Sequence, residues 1–479
     1  MNPMTLMMKG VFGLLDSVEV PMRDGTVLRA DVWLPGGEGA WPVLLQRTPY
    51  RKEDPFGTQY ICGLEFVAAL RRGYAVVVQD TRGRYASEGE FDPFADEARD
   101  GADTVAWLRE QRFCDGRVAM FGASYVGAMQ VLAAAADPPG LMTIAPFLTT
   151  ARHGETWMYR GGALELAFVP ERLFEALAPE DLPWRWNALP PDAAERARRL
   201  LAALQSDHAG AFGRLPVLDD DVVALAPSMA RWIDPARIAG AMEEREHLDA
   251  LAASTPMMLV TGGWNDIFVE GSIELFETVA ARPGSRDRLI LGPWSHGNIS
   301  DWQGDEWLGY GAAAADLPAE QLAFFDAALE SREPESPRVR YFRSDSNTWH
   351  AAAAWPVPAK RRDLHLNRAA LAATPASADW SRAFDADPAN PVPTVGGASF
   401  IPGLLLGRNS GPRDQASVEA RNDVLVFTSE PLAEDMEVTG LVVARLWVAC
   451  SAPTCDWCAK LCDVEPSGRT LSRVDGILR

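Results

Sequence analysis

The chain has 479 residues, with 45 basic and 66 acidic side chains and a formal net charge of -21 at pH 7. This length predicts more than one domain, and the negative charge argues against nucleic acid and anionic membranes as partners. Because no apolar run approaches the roughly 18 residues of a membrane span and no signal-peptide pattern is present at the start, we expect a soluble, cytoplasmic protein.

Strand and helix patterns alternate through the first third of the chain. The turn Arg23-Asp24-Gly25 lies between two alternating strands and predicts a hairpin. Such alternation is typical of an α/β fold with a mainly parallel sheet and helices on both faces. The predicted strands cover 18–22, 26–34, 43–45, 74–79 and 142–145, with helices at 64–70 and 97–111.

Residues 118–130 predict a short apolar strand, a tight turn and a helix of small residues. The turn is Gly122-Ala123-Ser124-Tyr125-Val126-Gly127, and such a turn would expose the Ser124 hydroxyl as a nucleophile. The backbone N–H of Tyr125 would point at a developing oxyanion. The second glycine falls one position later than in G-x-S-x-G, so the pattern alone equally allows a simple packing turn. A nucleophile also requires a base and an acid later in the chain.

From 148 to 248 the sequence becomes rich in tryptophan, proline and alanine and reads as helical, with no strand of any length. We expect a helical cap over the carboxyl edge of the sheet. Its tryptophans either line a substrate pocket or pack the core of the cap. These residues are Trp157, Trp184, Trp186 and Trp232.

Two candidate partners for Ser124 follow strands in the next segment. The buried strand at 257–260 leads to Asp266, and the strand at 288–291 leads to His296. The carboxyl ends of parallel strands meet in one crevice, and the order Ser, Asp, His is that of α/β-hydrolases. The rival acid run Asp219-Asp220-Asp221 is better explained as a solvated loop. The other histidines lie in the cap segment or beyond the sheet: His153, His208, His247, His350 and His365.

After a helix at 317–329 and a strand at 339–343, the pattern changes to strands and turns from residue 355 onward. It predicts an all-β sandwich. The sequence stops within strand-like residues, so we expect an incomplete sandwich with an unpaired edge. The predicted strands cover 363–366, 423–428, 436–438 and 441–448.

Four of the six cysteines lie close together, at Cys450, Cys455, Cys458 and Cys462. The first three match the spacing of some iron–sulfur proteins, and zinc is a second option. Metal ligands usually lie on loops, whereas these residues fall mostly in a predicted strand. We therefore interpret them as small buried or half-buried residues and leave their role open.

With Ser124, Asp266 and His296 placed, the chain resembles the cocaine-esterase/X-prolyl dipeptidyl-peptidase family of serine hydrolases. The resemblance runs from Val20 to the end of the chain. It depends on five motifs in the same order, which together are more specific than any one. The motifs are Pro21-Met22-Arg23-Asp24-Gly25, Asp80-Thr81-Arg82-Gly83, Gly122-Ala123-Ser124-Tyr125-Val126-Gly127, Gly263-Trp264-Asn265-Asp266 and Gly292-Pro293-Trp294-Ser295-His296.

The resemblance implies three domains and a catalytic site. The α/β-hydrolase core would cover 1–147 and 249–354, the helical cap 148–248, and a jelly roll 355–479 that is shorter than in most family members. Ser124 would be the nucleophile, His296 the base and Asp266 its orienting acid. Tyr50 would donate its hydroxyl to the oxyanion hole beside the Tyr125 N–H. No metal or cofactor is implied, and the cysteine cluster is not a family feature.

We therefore expect a serine hydrolase that cleaves small carboxylic esters with an apolar or aromatic acyl group through an acyl-enzyme. Trp157, Phe268 and Trp294 are the candidate pocket residues. An X-prolyl dipeptidyl peptidase or an α-amino-acid ester hydrolase is the first alternative. Either would need a carboxylate for the substrate ammonium, and Glu155 or Glu165 could supply one, although we expect both to face solvent. A non-catalytic ligand-binding protein is a further alternative. Homo-oligomerisation is left open.

Overall fold

The computed structural model describes residues 11–53, 64–166, 190–206, 242–312, 315–399 and 410–479. Its centre is a ten-stranded sheet, and four two-stranded ribbons accompany it. The sheet strands are β1 (Gly13–Pro21), β2 (Val27–Leu34), β3 (Trp41–Thr48), β4 (Ala75–Asp80), β5 (Cys114–Ala123), β6 (Leu141–Phe147), β9 (Met257–Asn265), β10 (Arg288–Ser295), β13 (Val339–Arg343) and β14 (Thr348–Ala352). The ribbon strands are β7 (Tyr159–Arg160), β8 (Ala163–Leu164), β11 (Trp302–Gln303), β12 (Glu306–Trp307), β15 (His365–Asn367), β16 (Ala370–Ala372), β17 (Trp457–Val464) and β18 (Thr470–Leu478).

The helices mostly connect consecutive strands, as the alternating pattern predicts. One is a five-residue π-helix at Gly154–Met158. Within the described ranges, none of the helices is long and apolar enough to cross a membrane. The α-helices are α1 (Phe66–Arg71), α2 (Glu97–Arg109), α3 (Tyr125–Ala135), α4 (Pro191–Ser206), α5 (Met242–Ala253), α6 (Val269–Ala280), α7 (Leu317–Leu329) and α8 (Ala416–Glu419).

The sheet is mixed, with strand order β1-β2-β4-β3-β5-β6-β9-β10-β13-β14. Its central strands pair in parallel, and the antiparallel pairs β1–β2, β2–β4 and β13–β14 lie toward the two edges. Alternate residues of β3 enter different core clusters, since Val43 and Leu45 belong to one and Leu44 to the other. Both faces are therefore covered, as expected for parallel strands joined by helices.

The chain leaves the sheet after β6 and returns at β9. These strands are neighbours in the sheet, with Thr143 opposite Met257, so the residues between them form an insertion. Much of the insertion, including Trp184, Trp186 and Trp232, lies outside the described residues. The described part corrects the expectation that it holds no strand, because β7 and β8 form a short hairpin.

The strands predicted at 423–428, 436–438 and 441–448 are wrong. Among the described residues these segments form no ladder, apart from one bridge between Thr428 and Ala370. Leu441 and Trp447 are 87% and 104% exposed. Alternating apolar residues become a strand only when a neighbouring strand accepts their backbone hydrogen bonds, and apart from that single bridge to β16 no described strand pairs with these segments.

The four clustered cysteines carry free thiols. Cys455 and Cys462 are half-buried, as expected, whereas Cys450 and Cys458 are exposed. Cys458 lies on β17, which among the described strands pairs with β18 in a two-stranded ribbon.

Candidate active site

Ser124 is the single residue between β5 and α3, and its backbone is strained. Its φ and ψ are 58° and -126°, a region that non-glycine residues rarely adopt. The small neighbours are required by space: a Cβ on Gly122 would lie 2.2 Å from Val126, and one on Gly127 would lie 2.9 Å from Thr149. The shifted second glycine thus still allows the helix to start close against the sheet.

The other two predicted residues lie beside Ser124. His296 follows β10, and its Nε2 lies 3.0 Å from the Ser124 Oγ. Its Nδ1 lies 2.7 Å from Oδ1 of Asp266, which follows β9. Both side chains are fully buried. When Nδ1 carries the proton and donates a hydrogen bond to the carboxylate, Nε2 can accept the hydroxyl proton of Ser124.

The Asp266 carboxylate is itself held in position. Its second oxygen, Oδ2, accepts a hydrogen bond of 3.2 Å from the backbone N–H of Phe268. The phenyl ring of Phe268 packs edge-on against the His296 imidazole, with 5.1 Å between ring centroids. The imidazole is thus restrained by a carboxylate on one edge and by an aromatic ring on its face.

Tyr50 and Tyr125 are both buried in the same core cluster. Tyr50 lies just past the end of β3, where its N–H donates to the Thr48 hydroxyl over 3.1 Å. The Tyr125 phenol accepts a 2.9 Å hydrogen bond from the Phe94 N–H and donates to Oε1 of Glu97 over 3.2 Å. Burial, followed by the nearby Glu97 carboxylate, raises the pKa of the Tyr125 phenol well above its ordinary value.

The segment that carries Tyr50 is hydrogen-bonded to the loop that begins at Asp80, whose role the sequence did not assign. Asp80 Oδ1 accepts a 2.7 Å hydrogen bond from the Lys52 N–H, and the buried Arg84 donates from Nε to the Pro49 carbonyl over 2.9 Å. Burial raises the pKa of Asp80 to about 7. These bonds hold the backbone on both sides of Tyr50.

The three predicted pocket residues lie in different surroundings. Trp157 packs against Phe268, with 4.2 Å between ring centroids, so a continuous aromatic wall extends from His296. Trp294 is fully buried between Phe147 and Trp349, at 6.2 and 5.7 Å between centroids. Trp157 also lines a cavity whose lining includes neither Phe268 nor Trp294.

This cavity has a volume of about 230 Å³ and lies between the insertion, α6 and β18. Two of its carboxylates have arginine partners: Arg152 pairs with Glu155, and Arg160 Nε lies 3.1 Å from Glu165. Burial raises the pKa of Glu165, and Arg160 opposes that effect. The lining residues are Arg152, Glu155, Thr156, Trp157, Tyr159, Arg160, Gly161, Glu165, Ile267, Glu270, Gly476 and Ile477.

The remaining candidates from the sequence lie elsewhere. His350 is on the edge strand β14, where it contacts the Thr348 hydroxyl, and His365 is in the β15 ribbon. The rival acid run at 219–221 and His208 lie outside the described residues. Within the ranges that are described, no group of three or more His, Cys, Asp or Glu side chains could hold a metal ion.

Comparisons with known proteins identify relatives of this chain. The family model "X-Pro dipeptidyl-peptidase (S15 family)" matches residues 24–298, and "X-Pro dipeptidyl-peptidase C-terminal non-catalytic domain" matches 334–479. The chain is 37% identical to the cocaine esterase of Rhodococcus sp. (strain MB1 Bresler), over 99% of this chain and 84% of that protein.

Solved structures of similar fold cover nearly the whole chain. An aminopeptidase from a marine sediment Thaumarchaeota archaeon superposes with a TM-score of 0.71 and 25% identity, over 98% of this chain and 82% of its own. An α-amino acid ester hydrolase superposes with a TM-score of 0.71 and 23% identity, over 98% and 82%. The second similarity concerns the fold alone.

Proposed function

The chain belongs to the X-Pro dipeptidyl-peptidase (S15) family and is a serine hydrolase related to esterases, and we propose that Ser124, His296 and Asp266 form its catalytic triad. The observation that carries the proposal is the unbroken chain of contacts from the Ser124 Oγ to His296 at 3.0 Å and on to Asp266 at 2.7 Å. All three side chains are buried, so water competes little for these bonds.

In the proposed reaction, His296 Nε2 takes the proton of the Ser124 hydroxyl while Oγ attacks the ester carbonyl carbon. The tetrahedral oxyanion collapses, and the departing alkoxide takes the proton from His296. Water then attacks the acyl-enzyme, with His296 again as base, and releases the acid and free Ser124. Asp266 stabilises the imidazolium that forms in each half of the reaction.

The oxyanion would be bound by the backbone N–H of Tyr125 and the hydroxyl of Tyr50. The Tyr125 N–H belongs to the first residue of α3, so it has no partner within the helix and is available to a ligand. The helix dipole adds positive potential at the same point. The position of Tyr50 just after β3 supports the second assignment, because α/β-hydrolases place their other donor after an early strand of the sheet.

The test is covalent labelling with a fluorophosphonate, which phosphonylates an activated serine and releases fluoride. We expect one adduct per chain, found by peptide mass mapping on the peptide that contains Ser124. Ser472, which is also buried but hydrogen-bonded to the Arg413 backbone, provides a matched internal control and should stay unmodified. An adduct elsewhere would move the nucleophile away from Ser124.

We propose further that the substrate is an ester with an uncharged acyl group, bound against Trp157 and Phe268. The second candidate, an X-prolyl dipeptidyl peptidase or α-amino-acid ester hydrolase, is favoured by the family model and by the similar aminopeptidase. Both activities require a carboxylate for the substrate ammonium. The cavity's Glu155 and Glu165 are each paired with an arginine, whereas its third carboxylate, Glu270, is exposed. The uncharged substrate is supported by the aromatic surface of Trp157 and Phe268 beside His296.

Comparing p-nitrophenyl butyrate with p-nitrophenyl 2-aminobutyrate separates the two candidates. We expect the larger kcat/KM for the uncharged ester, because an ammonium placed against the Trp157 and Phe268 rings would lose hydration in apolar surroundings. Glu165→Gln should change both rates equally. A preference for the amino ester that Glu165→Gln abolishes would establish the second candidate.

For the domains we propose the arrangement that the family implies: core segments 1–147 and 249–354, a cap at 148–248 and a jelly-roll-like domain at 355–479. The family model for the C-terminal non-catalytic domain supports the last of these. Contacts also join the insertion to the C-terminal residues: the Arg479 N–H donates to the Gly161 carbonyl, and Arg160 donates to the Ala398 carbonyl. The cavity beside Trp157 would therefore be completed by the C-terminal domain.

A further inference from the structure

The backbone and the side chain of Tyr125 take part in different contacts at this site. Its backbone N–H begins α3 and is the proposed oxyanion donor, while its side chain extends into a buried polar cluster. There the phenol oxygen accepts from the Phe94 N–H at 2.9 Å and donates to Glu97 at 3.2 Å. The ring stacks on Phe94, with 4.5 Å between centroids. The side chain is thus held by two directed bonds as well as by packing.

Glu97 connects this phenol to the strand that leads to the other proposed donor. Its second oxygen lies 2.9 Å from Nη1 of Arg47, and both side chains are almost fully buried. Arg47 also donates from Nε to Gln79 over 2.8 Å and from Nη1 to the Glu97 carbonyl over 2.9 Å. Arg47 is on β3, three residues before Tyr50. One buried carboxylate therefore links the segments that carry both donors.

Stabilisation of the fold does not by itself explain why this buried cluster is polar. Desolvating a carboxylate and a guanidinium costs several kcal/mol, and apolar residues of similar volume often stabilise a fold equally well. The hydrogen bonds of ionic and phenolic groups are directional, however, because each bond fixes the position of one atom relative to another. Direction is what an oxyanion hole needs, since a displacement of about 1 Å at a site can lower the rate by about 10²-fold.

The backbone of Ser124 explains why the next residue needs an anchor. With φ at 58° and ψ at -126°, the peptide that joins Ser124 to Tyr125 is held away from its relaxed geometry. Rotation of this peptide toward a relaxed conformation would turn the Tyr125 N–H away from the oxyanion. A phenol bonded to α2 and to the Phe94 backbone opposes that rotation.

We infer that the Tyr125 phenol and Glu97 are positioning residues, which hold the Tyr125 N–H and, through Arg47, the Tyr50 segment in the geometry that binds the oxyanion. The inference rests on the proposed role of Ser124 as nucleophile. The buried polar cluster of Tyr125, Glu97 and Arg47 would thus support binding of the transition state and not binding of the substrate.

The test is Tyr125→Phe, which keeps the ring and its stacking but removes both hydrogen bonds of the phenol. We expect kcat for p-nitrophenyl butyrate to fall about 10-fold, less than for removal of a donor, with KM within about twofold of wild type. Phenylboronic acid adds to Ser124 as a tetrahedral boronate that places an oxygen in the oxyanion hole. Its inhibition constant should rise by the same factor as kcat falls.

Tyr74→Phe is the matched control, because the Tyr74 phenol is bonded to the Asp326 carboxylate in the same core cluster. It should lower the melting temperature and leave kcat and boronate affinity unchanged. Equal losses of kcat in both variants, or wild-type kcat and boronate affinity in Tyr125→Phe, would overturn the inference. If Tyr125→Phe does not fold, Glu97→Gln provides the same readouts, and we expect kcat to fall several-fold with KM unchanged.

Ser124→Ala, measured in parallel, separates this inference from the proposed function. Persistent hydrolysis in Ser124→Ala would refute the nucleophile assignment and with it the inference. Loss of hydrolysis in Ser124→Ala, together with no effect of Tyr125→Phe, would leave the nucleophile in place and refute only the positioning role.

Discussion

Replacement of Ser124 by alanine is expected to lower kcat for p-nitrophenyl butyrate by about 10⁶-fold, to the rate that oxyanion binding alone supports. The physical reason is that the change removes the Oγ atom that lies 3.0 Å from His296 Nε2 and would attack the ester carbonyl. Initial rates are to be measured with freshly purified protein, with circular dichroism to show that the variant is folded.

His296→Ala should cause a loss of the same order, because the nucleophile and its base act as one unit. The double variant Ser124→Ala/His296→Ala should then be no slower than either single variant. His350→Ala is the matched control, since His350 lies on the edge strand β14 and should not affect the rate. Losses that multiply in the double variant would contradict a shared catalytic step and require independent roles for the two residues.

The parts of the site that the sequence predicted are those fixed by local pattern. Ser124, Asp266 and His296 each directly follow a strand, and parallel strands bring such residues to one edge of the sheet. The α/β fold was predictable for a similar reason, because buried strands and their connecting helices have recognisable apolar runs. The strands at the sheet edges pair in antiparallel fashion because they run in opposite directions. For β1 and β2 the turn at Gly25 already predicted this pairing, because it indicates a hairpin.

Contacts between distant segments could not be read from the sequence. Glu97 appeared only as the first residue of a helix, because its bond to Tyr125 depends on how α2 packs beside α3. Asp80 begins the Asp80-Thr81-Arg82-Gly83 motif and Arg84 follows it, but the sequence does not show their role because their partners Lys52 and Pro49 lie on another loop. Polar side chains show this kind of role only once the tertiary fold is known.

The error in the C-terminal region has a different cause. Residues 441–448 have the alternating apolar pattern of a strand, yet they form none because no described strand lies alongside. A helix forms its backbone hydrogen bonds within its own segment, so its local pattern is sufficient to predict it. A strand needs backbone hydrogen bonds from a neighbouring strand, which is often far away in sequence. Periodicity therefore predicted the helices of the core better than the strands of the C-terminal domain.

Tyr50→Phe is expected to lower kcat about 10²- to 10³-fold while KM changes little, which is the loss typical of removing one oxyanion donor. Tyr50 is only 1% exposed, and the phenylalanine ring fits the same space, so the change removes the hydroxyl and little else. Fluorophosphonate labelling of Ser124 should continue at a reduced rate, because the triad itself stays intact. Initial rates and labelling rates would be compared with those of Tyr74→Phe.

The size of this loss also shows how much the Tyr50 hydroxyl and the Tyr125 N–H each contribute to stabilising the oxyanion. If Tyr50→Phe and Tyr125→Phe act on two donors of one oxyanion, the double variant should lose less than the product of the single losses, since the remaining donor can shift once the first is gone. A kcat near wild type in Tyr50→Phe would remove the hydroxyl from the oxyanion hole. The Tyr125 N–H and the α3 dipole would then stabilise the oxyanion without it, and the bonds from Asp80 and Arg84 would serve only to hold the loop.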